Sequence, residues 1–202
     1  KAACKKALQL TLGLAHRPDV PLFGMSARLA KQKGFELILK SASLRSPNAQ
    51  FVFLGTGDME YQDALSAIAR ERPDQVAVEF AFTDLLEHRL IAGSDAILMP
   101  SLYEPCGLTQ MRAQRYGAPV VGRRTGGITD TVDDGETGFL FDEFTPEAFD
   151  EAMERAMERF ANRSAWKAMM RRGMACDFGW ERAERQYRDV YDSAERLALA
   201  AG

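Results

Sequence analysis

Short apolar runs separated by helix-length amphipathic stretches fill the chain as far as residue 141, and this alternation restricts the fold more than any other feature. Pro21–Ser26, Gln50–Gly55, Gln75–Phe82, Asp95–Pro100, Ala118–Gly122 and Gly138–Phe141 read as strands. Helical spacing is expected over 34–44, 60–72, 85–92 and 107–116, with a short helix near Gly127; Pro73-Asp74 and Gly117 supply stops. Strands apolar along their whole length are buried on both faces. Connections long enough for a helix let successive strands run parallel. The expected class is therefore α/β, a doubly wound parallel sheet. After Thr145-Pro146 the pattern becomes helical only, over 146–162, 164–173 and 179–199. Thr145 suits the cap, Pro146 the first helical position and Glu147 the first turn. One Rossmann-like domain is expected over 1–202, with 146–199 as a helical extension and an Ala-rich end, 198–201, that frays.

Composition bounds what such a domain does. With 202 residues, 46% hydrophobic and 27% charged, the chain has material for a substantial core and does not read as disordered. A net charge of −3 lacks the clustered basic excess of a nucleic-acid footprint. Cys4, Cys106 and Cys176 are too scattered for a disulfide framework or a metal motif, so a reducing cytosol is the expected compartment, or a plastid if the source is a plant. The N-terminus has no signal-peptide core, and no stretch approaches the roughly 18 apolar residues of a membrane span. A start without methionine hints at a fragment. His16 and His88 are distant and join no carboxylate cluster, so no metal site is expected; His88 reads as helix packing, and Trp180 as an anchor for the last helix.

Ligands of a doubly wound sheet gather at the carboxyl ends of its strands, and the informative loops follow strands here. Ser26–Gly34 holds Arg28, Lys31 and Lys33 with a glycine and a helix start, which suits a phosphate; the alternative is solvated surface charge beside a helix cap. Gly55-Thr-Gly57-Asp58 resembles the opening of a dinucleotide fingerprint, with Glu79 at the expected acid spacing. It follows the second strand rather than the first, however, and Glu60 replaces the third glycine, so a tight structural turn is the better reading. Glu104 precedes Gly107-Leu108-Thr109 at a helix start; its carboxylate either accepts from sugar hydroxyls or caps the helix. Cys106 is either a thiol activated at that helix start or a small packing residue. Arg123-Arg124-Thr125-Gly126-Gly127 forms either an oxyanion cradle or a glycine-permitted turn with exposed arginines.

Taken in order, Arg28-Leu, Gln32-Lys-Gly34, Gly55–Asp58, His88-Arg89, Gly93-Ser-Asp95, Pro100-Ser101, Glu104-Pro-Cys-Gly-Leu-Thr-Gln110, Tyr116-Gly117, Arg124-Thr-Gly-Gly127, Asp130-Thr-Val132, Thr137-Gly-Phe139 and Asp177-Phe-Gly-Trp180 resemble the C-terminal domain of bacterial glycogen synthases and plant starch synthases, from about residue 20 to 192. The resemblance implies a retaining glucosyltransferase of two Rossmann-like domains, the second of which binds ADP-glucose as substrate or ADP as product. It implies that Arg28 and Lys33 contact the diphosphate, that Glu104 holds hydroxyls of the donor glucose, and that Cys106, Gly107, Leu108 and Thr109 meet the glucose–phosphate region. Thr125, Gly126 and Gly127 would line the same cleft. Ala81-Phe82 stands where the family usually has Gly-Tyr beside the adenine, which retains an aromatic face without the hydroxyl. Arg112 stands where bacterial members commonly carry tyrosine and broader relatives a second glutamate. No metal or redox cofactor is implied. The N-terminal acceptor domain lies outside this sequence, so the chain by itself would bind a nucleotide sugar without elongating an α-1,4-glucan. In the family the last helix crosses to that domain. A transferase using UDP-glucose and a non-catalytic nucleotide-sugar-binding module are the alternatives.

Overall fold

The computed structural model describes residues 1–200. Six parallel strands form one sheet in the order β3-β2-β1-β4-β5-β6, with β1 at Leu22–Ser26, β2 at Gln50–Leu54, β3 at Val76–Glu79, β4 at Ala96–Met99, β5 at Val120–Arg123 and β6 at Gly138–Phe141. The order reverses between β1 and β4, which meet through Phe23 opposite Ala96 and Gly24 opposite Ile97. Loops leaving these neighbouring strands diverge to opposite faces and open a crevice at the carboxyl edge, as the alternating pattern implies.

Helices cover both faces. On one lie α2 (Phe35–Lys40), α3 (Met59–Glu71) and α7 (Pro146–Ala161), over Phe23, Phe51, Phe53, Phe139 and Phe141. Helix α7 faces inward along Phe149, Ala152, Met153, Ala156 and Phe160, the spacing of a buried helical stripe. The Thr145 hydroxyl accepts from the Ala148 amide at 3.2 Å and Pro146 opens the helix, as expected from the sequence. On the other face, α1 (Ala2–Thr11) and α4 (Asp84–Gly93) cover Leu22, Val52 and Leu54, while α5 (Thr109–Arg115) and α6 (Gly126–Thr131) cover the β4–β5 side. Under α1, Lys5 is buried and pairs with Asp95 at 2.6 Å, and Asp95 also accepts from the Leu22 amide at 2.9 Å. Helix α8 (Arg163–Ala175) sets Trp166 edge-on to Phe160, and α9 (Trp180–Ala200) ends the described chain. Ala201, within the stretch expected to fray, lies outside the described residues.

Four local departures from the sequence reading have visible causes. The helix expected over 34–44 ends at Lys40. Asp150 of α7 accepts from the Ala42 and Ser43 amides at 3.0 Å each and from the Ser41 hydroxyl at 2.5 Å, which offers this segment an alternative to helix. The strand expected to reach Phe82 ends at Glu79, because β2 stops at Leu54 and the Glu79 carboxylate turns back to the Ala81 amide at 3.0 Å. His88 packs α4 against the end of α5, as read from the sequence, but at the surface: it is exposed, its ring lies 5.7 Å from that of Tyr116, and it pairs with the Tyr116 hydroxyl at 2.7 Å. Among the described residues Trp180 anchors nothing; it is 82% exposed, and no residue of α9 is buried.

Candidate functional site

The loop after β1 is shaped by glycines. Gly34 adopts φ +81°, and a Cβ there would stand 2.0 Å from the Pro100 carbonyl of the loop after β4. Only glycine allows the two loops across the switch point to touch this closely. Leu102 then donates its amide to Gln32 at 2.8 Å, and Gln32 donates to the Tyr103 carbonyl at 3.3 Å. Drawn together this way, Lys33 reaches Glu104 with Nζ 2.6 Å from Oε2. Ser101 donates to the same oxygen at 3.1 Å. The Glu104 side chain is 10% exposed and that of Lys33 25%, so the pair is largely shielded, with the lysine on the wetter side. Glu104 does not cap α5: the cap position falls on Leu108 and receives no side-chain hydrogen bond.

Glu104 is also held from behind. Gly127 donates its amide to the Glu104 carbonyl at 3.0 Å, and Cβ atoms on Gly126 and Gly127 would fall 2.0 and 1.9 Å from the carbonyl oxygens of Glu104 and Cys106. These paired glycines exist for backbone contact between the loops after β4 and β5. Buried Gln110 braces the same junction, donating to Cys106 at 2.8 Å and to the Thr131 hydroxyl at 3.2 Å. Arg123 and Arg124 are engaged with Asp142, the first through its carbonyl at 3.1 Å and the second through its carboxylate at 2.8 Å. They support the loop rather than forming the oxyanion cradle weighed from the sequence. Cys106 is exposed rather than a packing residue. Leu108 is exposed, Thr109 opens α5, and Gly107 turns into it at φ +71°. Thr125 holds the cap position of α6.

Arg28 is exposed on the β1 loop, and among the described residues it joins no ion pair. It lines a cavity of about 400 Å3 with Ser26, Ala27, Gly55, Thr56, Phe82 and Glu87. Phe82 is 51% exposed and Ala81 lies beside it, both beyond the sheet edge. Gly55 and Gly57 have the structural task of a tight turn: Cβ atoms there would meet the Ala27 and Leu29 carbonyls at 2.0 and 2.1 Å, and Leu29 pairs with Gly57 as an isolated bridge. Ser101 stands in the sequence motif without a role of its own, and Glu87 carries no signal in the sequence. Glu87 has a side chain only 8% exposed and pairs with Arg112 at 2.9 Å, although it resembles any acidic residue on a helix. A second cavity, of about 410 Å3 and lined mainly by apolar groups, lies between α1 and α4 over Val52 and Leu54.

A doubly wound parallel sheet with cations, glycine turns and a shielded carboxylate at its switch point is the architecture that nucleotide-binding α/β domains use. The chain matches the family model for glycosyl transferases group 1 over residues 13–172 and belongs to that family. A glycogen synthase of Anaeromyxobacter sp. (strain Fw109-5) is 49% identical over 199 residues, covering 96% of this chain and 42% of that protein. The glycogen synthase of Geotalea daltonii is 47% identical over 207 residues, covering 99% of this chain and 42% of that protein. The solved catalytic domain of starch synthase IV from Arabidopsis thaliana, bound to ADP and acarbose, superposes with a TM-score of 0.85 at 33% identity, over 95% of this chain and 42% of that one. This chain thus spans less than half the length of these relatives. Among the described residues no helix is long and apolar enough to cross a membrane, and no group of three or more His, Cys, Asp or Glu could hold a metal ion.

Proposed function

We propose that this chain is the donor-binding part of a glucosyltransferase of the glycogen and starch synthase type, which moves glucose from ADP-glucose to the non-reducing end of an α-1,4-glucan with retention. The observation that carries the reading is the meeting of the Arg28–Lys33 loop with Glu104 at the switch point, with Nζ and Oε2 2.6 Å apart. In this reading Arg28 and Lys33 neutralise the diphosphate and take up charge as it departs. Positioned cations lower the barrier for a leaving group that gains negative charge. Glu104 accepts from the donor glucose hydroxyls. Its bond to Lys33 ties the sugar reader to the phosphate cation, so both are oriented before the donor arrives. Cys106, Gly107, Leu108 and Thr109 form the wall beside the sugar and its phosphate, with first-turn amides that have no partner within α5. Thr125, Gly126 and Gly127 keep that wall in place. Phe82, with Ala81, offers the base a face. The acceptor glucan would be held by an N-terminal domain of the longer protein. No metal or redox cofactor has a task in this scheme. Three free cysteines suit a reducing cytosol.

Calorimetric titration of the chain with ADP-glucose and ADP tests the proposal. Charge-assisted hydrogen bonds contribute about 1.5–3 kcal/mol, so Arg28→Ala should weaken both ligands roughly 10- to 150-fold. An unchanged affinity in a folded Arg28→Ala variant, or no binding of either ligand by the parent chain, would remove the donor assignment. Stacking on Phe82 does not by itself choose between purine and pyrimidine, so a UDP-glucose titration decides the donor base.

A further inference from the structure

We infer that Glu87, held by Arg112, recognises the ribose hydroxyls of the bound nucleotide. This deepens the donor-site proposal and rests on it. One cavity of about 400 Å3 has Arg28, Phe82 and Glu87 in its wall. A nucleoside diphosphate carries its base, ribose and phosphates in that chemical order. With the base against Phe82 and the diphosphate against Arg28, the unit between them is the ribose. Its vicinal hydroxyls are donors, and Glu87 is the acidic side chain in the cavity wall. A carboxylate accepts from such hydroxyls more strongly than a neutral group does.

The surroundings of Glu87 fit this task. Its side chain is 8% exposed, whereas Arg112 is 45% exposed. A shielded carboxylate is costly unless it is paired, and Arg112 meets that need through one contact, Nη1 to Oε2 at 2.9 Å. Among the described residues no other donor reaches Glu87, which leaves acceptor capacity for a ligand. The arginine has a second effect. It offsets a negative charge that would otherwise face the diphosphate.

The test is a cycle between the protein and its ligand, with ADP, 2′-deoxy-ADP and 3′-deoxy-ADP titrated into the parent chain and Glu87→Gln. The parent should bind ADP about 10-fold or more tighter than at least one deoxy analogue, the scale of one charge-assisted hydrogen bond. Glu87→Gln should lose most of that preference while its affinity for the deoxy analogue stays near that of the parent. A purely structural Glu87 would instead lower all three affinities together, and that result would overturn the inference, as would equal binding of all three nucleotides by the parent. Should Glu87→Gln not fold, Glu87→Asp withdraws the carboxylate by one methylene. It should shrink the preference, and an unchanged ratio would also overturn the inference. A parent chain that binds no nucleotide refutes the donor site itself, whereas nucleotide binding that depends on Arg28 without any ribose preference refutes only the role of Glu87.

Discussion

Replacing Lys33 with methionine keeps most of the side-chain volume and removes the closest donor to Glu104. Loss of one partner from a buried ion pair costs about 3–5 kcal/mol, because the other charge is left uncompensated. The cost here should be lower. Lys33 is 25% exposed, so its removal admits water, and Ser101 still donates to Oε2 from 3.1 Å. We expect about 2–3 kcal/mol for Lys33→Met, which in a domain of this size lowers the melting temperature by about 4–12 °C. Glu104→Gln leaves a lysine that can reach solvent and should cost about 1 kcal/mol. The double variant should be less destabilised than the sum of the two by about 1–2 kcal/mol, since contacting groups couple. Urea unfolding of the four proteins measures this coupling. Additivity within about 0.5 kcal/mol would refute the idea that the two loops are joined by this contact. The coupling also changes what binding experiments mean. Lys33 and Glu104, read from the sequence as separate contacts to diphosphate and sugar, share one hydrogen bond, so either substitution should disturb affinity for ADP-glucose.

Three further outcomes follow from the geometry. Phe82→Ala should weaken ADP binding, by up to about 1–3 kcal/mol if the base stacks there, while Phe82→Tyr should not; equal affinities for the parent and Phe82→Ala would remove Phe82 from the site. Burial raises the Asp150 carboxyl pKa, but hydrogen bonds from Ser41, Ser43 and Ala42 more than offset this and hold it below its ordinary value. A depressed pKa contributes stability above the unfolded value and loses it as pH falls through the folded one. Asp150→Asn should therefore cost about 1–3 kcal/mol near pH 7, with a gap from the parent that narrows as pH drops below about 4; a gap independent of pH would contradict this. Helix α9, with Trp180, Tyr187, Val190 and Tyr191 exposed, should exchange its amides faster than Gln50–Leu54, whose residues are all buried; similar protection would mean that this stripe is covered in solution.

The sheet was legible because strands buried on both faces leave unbroken apolar runs, and the cap and proline at Thr145-Pro146 mark α7 directly. The glycines were legible as special positions, yet their purpose was not. Gly34, Gly126 and Gly127 look like freedom for a ligand to approach, whereas each lies against a carbonyl of a neighbouring loop. What escaped the sequence were partnerships across the crevice. Lys33 and Glu104 are 71 positions apart, and Glu87 and Arg112 are 25 apart on two helices. No local periodicity encodes such pairs, because they depend on where the sheet brings its loops. The same limit applies at Ser41–Ser43, where Asp150 of a distant helix ends α2 early, and at Arg123 and Arg124, where Asp142 takes up arginines that looked available to an anion.

The position of bound ADP in a crystal structure of this chain tests the central claim most directly. We expect the diphosphate against Arg28 and Lys33 and the base against Phe82, at the carboxyl edge where the strand order reverses between β1 and β4. ADP bound instead in the apolar cavity between α1 and α4, or absent from the Arg28 cavity at saturating concentration, would contradict it.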